Sequence, residues 1–438
     1  MKKAAASARD SAKRPPGRPH DLTLPGVVPT LRAMRRIPIG AVAVVTTLSL
    51  LAAACSSASA DESTATTDSP PTTATTTTSA PATTTTQAPA TTTTTSTTTT
   101  TAPPTAEIEV GDTINGLPAS DELTDRRVIA VKIDNHRLAR PHSGIETADA
   151  VYEIVVEAGL TRLMALFHQS DGEFVGPIRS VRPVDVELTK PLDAPLQISG
   201  GSNWVLRYVR GLDMKLLANT GGATGRSPDR RAPHNLYGNT TKMREQADAR
   251  AWSDDPPPPL FIFGPEPTPL EAAATFIELP FSDNPNSLSQ WEWDGARYLH
   301  SYNGEPHTWR KADEDPGGTA EPTWRPHLPP PDETASRAAT NVEEDRRVAF
   351  DTIVVLKGEL YTAYPPKPSD GVSMPATDTV GSGDALVFHS GGMLAATWER
   401  ESMEEMMRIY DAAGNEVVLP PGRLWMAIFP QHRAVTWK

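Results

Sequence analysis

The chain reads as an α/β or α+β N-terminal domain with a mixed sheet, followed by a smaller β-rich C-terminal domain, with a disordered stalk ahead of both. Three observations carry this. Strand-like apolar runs in residues 106–268 alternate with short helical stretches. Beyond 269, β-type runs recur between Gly turns, a spacing typical of a small β domain. Residues 56–105 are almost wholly Thr, Ser, Ala and Pro and hold too little apolar surface to fold.

Taken in order, residues 1–33 are Lys/Arg/Pro-rich without apolar periodicity, and Met34 reads as the better start, with 1–33 an extension. Arg35 and Arg36 precede an apolar run from Ile37 to Leu51, the layout of an export signal. That run is short for a membrane span, which takes about 20 residues. It ends in Ala52-Ala53-Ala54-Cys55-Ser56, which resembles the lipobox of bacterial lipoproteins, with Ala52 where Leu is more usual. The resemblance implies a signal peptide over 34–54, lipidation of Cys55 and attachment to the outer face of the bacterial cell membrane. Residues 55–105 then form the stalk. A flexible coil of ~45 residues spans roughly 35–40 Å.

The composition sets limits. The 438 residues leave room for two or three domains, and the formal net charge of −13 argues against nucleic acid as a partner. A single cysteine excludes a disulfide framework and a multi-cysteine metal knuckle.

The N-terminal domain, 106–268, is organised around residues 126–168. Val128–Asp134 predicts a strand ending at Asp134-Asn135. Next come a polar loop, Arg140-Pro141-His142-Ser143-Gly144, and a hairpin closed by a two-residue turn at Ala158-Gly159. That turn pairs Val155 with Arg162 and Glu153 with Met164. It places Tyr152, Ile154 and Val156 with Leu163, Ala165 and Phe167 on an apolar face, and Glu153, Glu157 and Arg162 on the other. Such a charged face is either a solvated ion-pair surface, worth about 0–1 kcal/mol per pair, or a polar site beneath the loop. Further on, Arg179 and Arg182 bracket Ser180, and Asp185–Lys190 opens a short helix. Leu196–Val209 reads as strand, Gly200-Gly201 turn and helix. His234 and Asn235 stand in a loop stiffened by Pro233, and Thr240–Ala251 is a polar helix. Residues 254–269 are a Pro-rich connector.

The C-terminal domain, 269–438, has hairpin turns at Asp294-Gly295 and Asn303-Gly304 and an exposed, Pro-rich insertion over 309–346. Three long β-type runs follow, with Gly391-Gly392 and Ala413-Gly414-Asn415 as turns.

No HExxH, GxSxG, Walker A or GxGxxG in a strand–helix setting is present. No cofactor is predicted. A divalent metal enters only through His136, His142, His168 and His234 with Asp149 or Glu153, whose spacing matches no familiar ligand pattern. Arg140, Arg162, Arg179, Arg182 and Arg231 all stand in or beside turns. They suit either a structural ion-pair network or bidentate capture of a carboxylate or phosphate. Trp291, Trp293, Tyr298, Trp398 and Trp425 read as core, with a sugar-stacking surface as the other use of such rings.

Several strings resemble the YerB-type bacterial lipoprotein family: NGLP, ARPHSGIETADAVYE, EAGLTRLMALF, GPIRSVRP and APHNLY, then YNGEPH, VGSGDALVFHSGGMLAATWER and YDAAGNEVVLPPGRLWMAIFP. They span residues 115–430 in one order. The resemblance implies paired domains of unknown function behind a lipid anchor and carries little chemistry. His142 stands where Gln is commoner, and Gly200-Gly201-Ser202 lacks the histidine often nearby. ADAVYEIVVEAGLTRLMAL with IRSVRP is also similar to the arginine-bearing strands of LytR–CpsA–Psr cell-wall transferases, although no Asp follows Arg179 or Arg182. The expectation is an envelope binding or scaffolding protein whose partner is a cell-wall polymer or an envelope protein. The alternative is an enzyme on a phosphorylated or lipid-linked wall precursor, with Arg162, Arg179 and Arg182 on phosphate and Glu153 or Asp149 as base or metal ligand.

Overall fold

The computed structural model describes residues 109–219, 222–228, 230–310 and 346–438. The expected signal peptide, Cys55, the expected stalk and nearly all of the expected 309–346 insertion lie outside the described residues.

The main strands are β1 (Ile129–Asp134), β2 (Ala150–Val155), β3 (Thr161–Phe167), β4 (Leu196–Gln197), β5 (Leu216–Leu217), β6 (Phe276–Pro280), β7 (Leu288–Trp293), β8 (Tyr298–Tyr302), β9 (Thr352–Gly358), β10 (Gly381–His389), β11 (Gly392–Arg400), β12 (Arg408–Tyr410) and β13 (Leu424–Pro430). Helices are α1 (Asp185–Thr189), α2 (Asn203–Gly211) and α3 (Thr240–Asp248). The mixed sheet and the β-rich C-terminal part are both present.

One sheet runs in the order β12-β11-β10-β9-β13-β2-β3-β1-β4-β5, with Ala272–Ala273 paired to β11. It is parallel at β9–β13, β13–β2, β1–β4 and β4–β5, and antiparallel elsewhere along that path. Strands from both sides of residue 268 therefore share one sheet. The join is β13, which inserts between β9 and β2, with Ala150 opposite Leu424 and Ile154 opposite Ile428. A second sheet, containing β8-β7-β6, packs across one face of the first.

Both faces of the main sheet are covered. One buries Ala150, Tyr152, Ile154, Met164 and Leu166 against Val186 and Leu188 of α1 and Trp204, Val205 and Val209 of α2. The other buries Val151, Leu163, Ala165 and Phe167 against Ile277, Leu279, Trp291 and Phe350. Each fully buried side chain of this size contributes about 1.5–3 kcal/mol. The local sequence explains the helices. Trp204, Val205, Tyr208 and Val209 form one apolar stripe on α2. Asn239 Oδ1 caps α3 by accepting from Lys242 N at 3.0 Å.

The hairpin register corrects the expectation. Val156 N donates to Leu160 O at 2.7 Å, so three residues, Glu157–Gly159, make the turn, with Ala158 at φ 59° and Gly159 at φ 67°. Tyr152 then faces Met164, Glu153 faces Leu163 and Ile154 faces Arg162. One extra turn residue slips the pairing by one, and a one-residue slip moves every side chain of the second strand to the other face. With both faces buried, alternation offers no solvent side to fix the register.

Two further points follow from docking. The Pro-rich connector is partly tied down, since Ile262–Phe263 pairs with Val418–Leu419. Trp291, Tyr298, Trp398 and Trp425 are buried core rings and Trp293 is partly buried, so no sugar-stacking surface forms from them.

Candidate functional site

The register decides which polar groups meet. Glu153 and Arg162, expected on one face of the hairpin, stand on opposite faces. The ribbon β1–β3–β2 therefore carries two separate polar clusters.

Glu153 belongs to the face covered by the second sheet, and it is fully buried. Its Oε1 accepts from Thr161 Oγ1 at 2.7 Å and Tyr302 OH at 3.0 Å, and its Oε2 from Trp425 Nε1 at 3.2 Å. Asn135 Nδ2 ties Thr161 and Tyr302 together at 2.6 and 2.7 Å. Arg140 donates to Asn135 Oδ1 at 3.0 Å and lies 3.6 Å over the Tyr302 ring. Burial pushes the Glu153 carboxyl up to about 7, against the pull of these donors and of Arg140.

Beside it runs a buried histidine chain. His142 Nε2 lies 2.6 Å from Asp134 O, and its Nδ1 lies 2.7 Å from His307 Nε2. His307 Nδ1 lies 2.7 Å from His300 Nδ1, and His300 Nε2 lies 2.7 Å from Ser289 Oγ. A carbonyl can only accept, so His142 carries its proton on Nε2. Each following bond is then forced: His307 donates from Nε2, His300 from Nδ1, and the Ser289 hydroxyl closes the chain. All three rings are neutral in this arrangement. Burial accounts for it, holding His142 at about 3 and His300 and His307 well below the usual histidine range.

The other face holds a cluster of cations. Lys132 Nζ donates to Asp185 Oδ1 at 2.7 Å with both side chains fully buried, and burial lowers Lys132 to about 8. Arg182 grips Glu157 with two nitrogens, at 2.9 and 2.8 Å. Arg179 Nε lies 2.8 Å from Asp134 Oδ2, and His234 Nδ1 lies 2.6 Å from the same oxygen. Burial alone would raise Asp134, but the His234 hydrogen bond and the Arg179 charge override it and hold it at about 2.

Arg162 differs from its neighbours. It is 9% exposed and donates from Nη1 to Ser180 O at 2.7 Å. Among the described residues no carboxylate lies within 4.0 Å of it. Arg182 donates to the same carbonyl at 3.3 Å, so the two guanidiniums crowd one oxygen. Burial, then the nearby Arg182 charge, lowers Arg162 to about 10. Val181 N bonds Gly200 O at 2.9 Å, and a Cβ placed on Gly200 would meet nothing within 4 Å.

The structure thus gathers Arg162, Arg179, Arg182 and Glu157, with His234 linked through Asp134. It sets Arg140, His142 and Glu153 apart on the sealed face. Asp149 is elsewhere too, its Oδ2 accepting from His168 N at 2.6 Å and Ser170 Oγ at 2.9 Å. Asn235 bonds Arg226 and Ser227. His136 stacks on His234 at 4.9 Å, whereas His142 and His168 lie in different places. Among the described residues no three metal-ligating side chains gather. Sequence reasoning missed Asp134, Lys132 and Asp185, and it read His300 and His307 only as parts of a hairpin. A charged residue inside an otherwise apolar strand, as Lys132 is, was the available signal.

Comparison with known proteins places this architecture. Residues 114–253 match the family described as protein of unknown function (DUF3048) N-terminal domain, and residues 332–426 match its C-terminal domain. The Bacillus subtilis protein YerB, which is named as a lipoprotein, is 31% identical over 147 residues, 32% of this chain and 43% of that protein. The match thus spans under half of that relative. The crystal structure of YerB from Bacillus subtilis superposes with a TM-score of 0.57 at 20% identity, covering 74% of this chain and 98% of that one. At this identity the likeness concerns the fold.

Proposed function

Since the chain belongs to the DUF3048 family, whose N- and C-terminal domain matches together take in more than half of it, we propose that it is a lipoprotein of the cell envelope that binds an anionic group at the Arg162 cluster. Cys55 is its anchor to the membrane, and residues 55–105 hold the folded part away from the bilayer. The partner is a wall polymer or an envelope protein bearing carboxylate or phosphate.

One observation carries this reading: a nearly buried guanidinium without a carboxylate. Removing a charge from water costs several kcal/mol unless a counter-charge and hydrogen bonds offset it. Lys132, Arg179 and Arg182 each have that counter-charge within 3 Å. Arg162 has one carbonyl. An external oxyanion would complete it, and the planar fork of Arg suits carboxylate and phosphate. The lipobox and stalk in the sequence, and the lipoprotein name of the relative, support the envelope setting.

A binding role fits this geometry better than catalysis on a phosphorylated precursor. The expected bases are not at the cluster. Glu153 is sealed on the opposite face, and Asp149 holds backbone and side-chain groups near His168.

Binding of the full chain to purified wall polymer tests the proposal. Capture by wild type and a loss of about tenfold or more in Arg162→Met is the expected result, since a charge-assisted hydrogen-bond pair is worth about 1.5–3 kcal/mol. Equal capture by both would refute it.

A further inference from the structure

Resting on the anion-binding reading above for the class of ligand, we infer that the partner is a polymer with a negative charge at each repeat, and that it lies across an exposed arginine face built from residues 134–141 and 226–235.

The two segments, DNHRLARP and RSPDRRAPHN, hold five arginines, no lysine and two aspartates. In a chain of net charge −13 such an excess of cations is local. Each segment has its own fixed shape. Arg137–Ala139 forms a single 3-10 turn, with His136 Nδ1 accepting from Leu138 N at 3.2 Å. Thr224–Arg226 pairs antiparallel with Leu236–Gly238, and Arg226 Nη1 donates to Asn235 Oδ1 at 2.7 Å. The segments are also locked to each other. Arg230 donates to Ala139 O at 2.8 Å and Pro141 O at 2.7 Å, and His234 stacks on His136 at 4.9 Å.

This packing sorts the arginines. Arg140 turns inward over Tyr302, and Arg230 bonds the carbonyls across the junction. Arg137, Arg226 and Arg231 stand exposed. Among the described residues no carboxylate lies within 4.0 Å of Arg137 or Arg226. Of the two aspartates, Asp134 is buried and held by Arg179 and His234, and Asp229 lies outside the described residues.

The face continues into the Arg162 cluster. Asp134 stands opposite Arg162 in the β1–β3 pairing and binds Arg179, and His234 on the same carboxylate leads to His136 and Arg137. Exposure rises along this path, from nearly buried Arg162 through partly exposed Arg179 to exposed Arg137. A lone anion engages one of these groups. A polymer can place one charge at Arg162 and its neighbours on the outer arginines, and each contact raises the effective concentration of the next. A bilayer is flat on this scale and does not reach a nearly buried guanidinium. Arginine forks suit phosphate or carboxylate oxygens, and the negative charge of the rest of the chain turns a polyanion toward this face.

Calorimetric titration of the full chain in detergent tests this with long poly(glycerol phosphate), which has one phosphodiester per repeat, and with its two-phosphate fragment. Polyglutamate and its dipeptide, run in parallel, separate carboxylate repeats from phosphodiester repeats. Counted per charge, the long chain of the fitting class binds about tenfold or more tightly than its fragment. Added salt erodes that advantage, because exposed charges are screened. In the double variant Arg137→Gln, Arg226→Gln the advantage disappears while fragment binding persists, which shows an intact Arg162 site. Long chains no better than fragments per charge, or an advantage that survives in the double variant, overturn the inference alone. Displacement of the polymer by phosphatidylglycerol added to the micelles assigns the face to a lipid surface and overturns it as well. Failure of every probe, or fragment binding indifferent to Arg162→Met, overturns the anion-binding reading together with it.

Discussion

The two faces of the β1–β3–β2 ribbon handle polarity in opposite ways. On the Glu153 face the carboxyl and the histidine chain are both answered. The carboxyl has three close donors, and the histidine chain runs from a hydroxyl to a carbonyl with one proton per link. On the Arg162 face the ion pairs are also good, yet one cation lacks its partner. A closed set of hydrogen bonds has no capacity left for a ligand. An incomplete set has capacity for one oxyanion. The conspicuous carboxylate and histidines thus hold one another, and the nearly buried arginine held by one carbonyl is the candidate proposed for binding.

The largest expected effect tests the closed face. Glu153→Ala leaves Trp425 Nε1, Tyr302 OH and Thr161 Oγ1 without their acceptor in a buried cavity. Stranding several buried polar groups at once costs about 3–5 kcal/mol. Urea denaturation of the variant should show that loss. A change under about 1 kcal/mol would mean that this face is not closed, and the contrast between the faces would fail.

A somewhat smaller effect is visible in pH dependence. Burial raises Glu153 from the ordinary 4.5 to about 7. Between these values the folded state holds a proton that the unfolded state has released. Stability from this group is therefore fully present below about 4.5 and is lost as pH rises through about 7. The loss amounts to about 3 kcal/mol. Glu153→Gln has no such titration. Its unfolding free energy relative to wild type should thus climb by about 3 kcal/mol from about pH 4.5 to about pH 8. Taking the difference between the two proteins removes the acid-side losses from the buried histidines, which both share. A flat difference would place the carboxyl in contact with water.

These faces also show what the chain alone can reveal. The strand runs around Val131, Val354 on β9 and Trp425, the Gly200-Gly201 turn and the α2 stripe are local patterns, and each was readable. Convergence of Arg162, Arg179 and Arg182 was readable too, because a hairpin and the adjoining GPIRSVRP segment bring them close in sequence. The face assignment of Glu153 was not. It depends on one additional turn residue, and a strand buried on both sides has no polar face to betray the error. The histidine chain was equally hidden. Its members come from residues 142, 300 and 307, and only packing of the second sheet across the first brings them together. Long-range packing of this kind leaves no period in the sequence.

The smallest effect has the opposite sign and discriminates most finely between the two faces. Arg162→Met removes a cation that has no carboxylate and keeps most of the volume and the apolar stem of the side chain. It forfeits the bond to Ser180 O, which Arg182 already approaches at 3.3 Å. It also relieves repulsion between Arg162 and Arg182, and it ends the desolvation of an uncompensated charge. Replacing a poorly paired buried ion by an apolar group is often neutral or stabilising by about 1–4 kcal/mol. The lost carbonyl contact takes back about 1 kcal/mol. A net change between zero and a gain of about 2 kcal/mol is expected from denaturation of the unliganded protein. The same substitution is expected to weaken anion binding about tenfold or more. Stability unchanged or improved with binding lost is the signature of a residue retained for a ligand. Should Arg162→Met instead destabilise as strongly as Glu153→Ala, both faces would be structural, and the difference drawn between them would vanish.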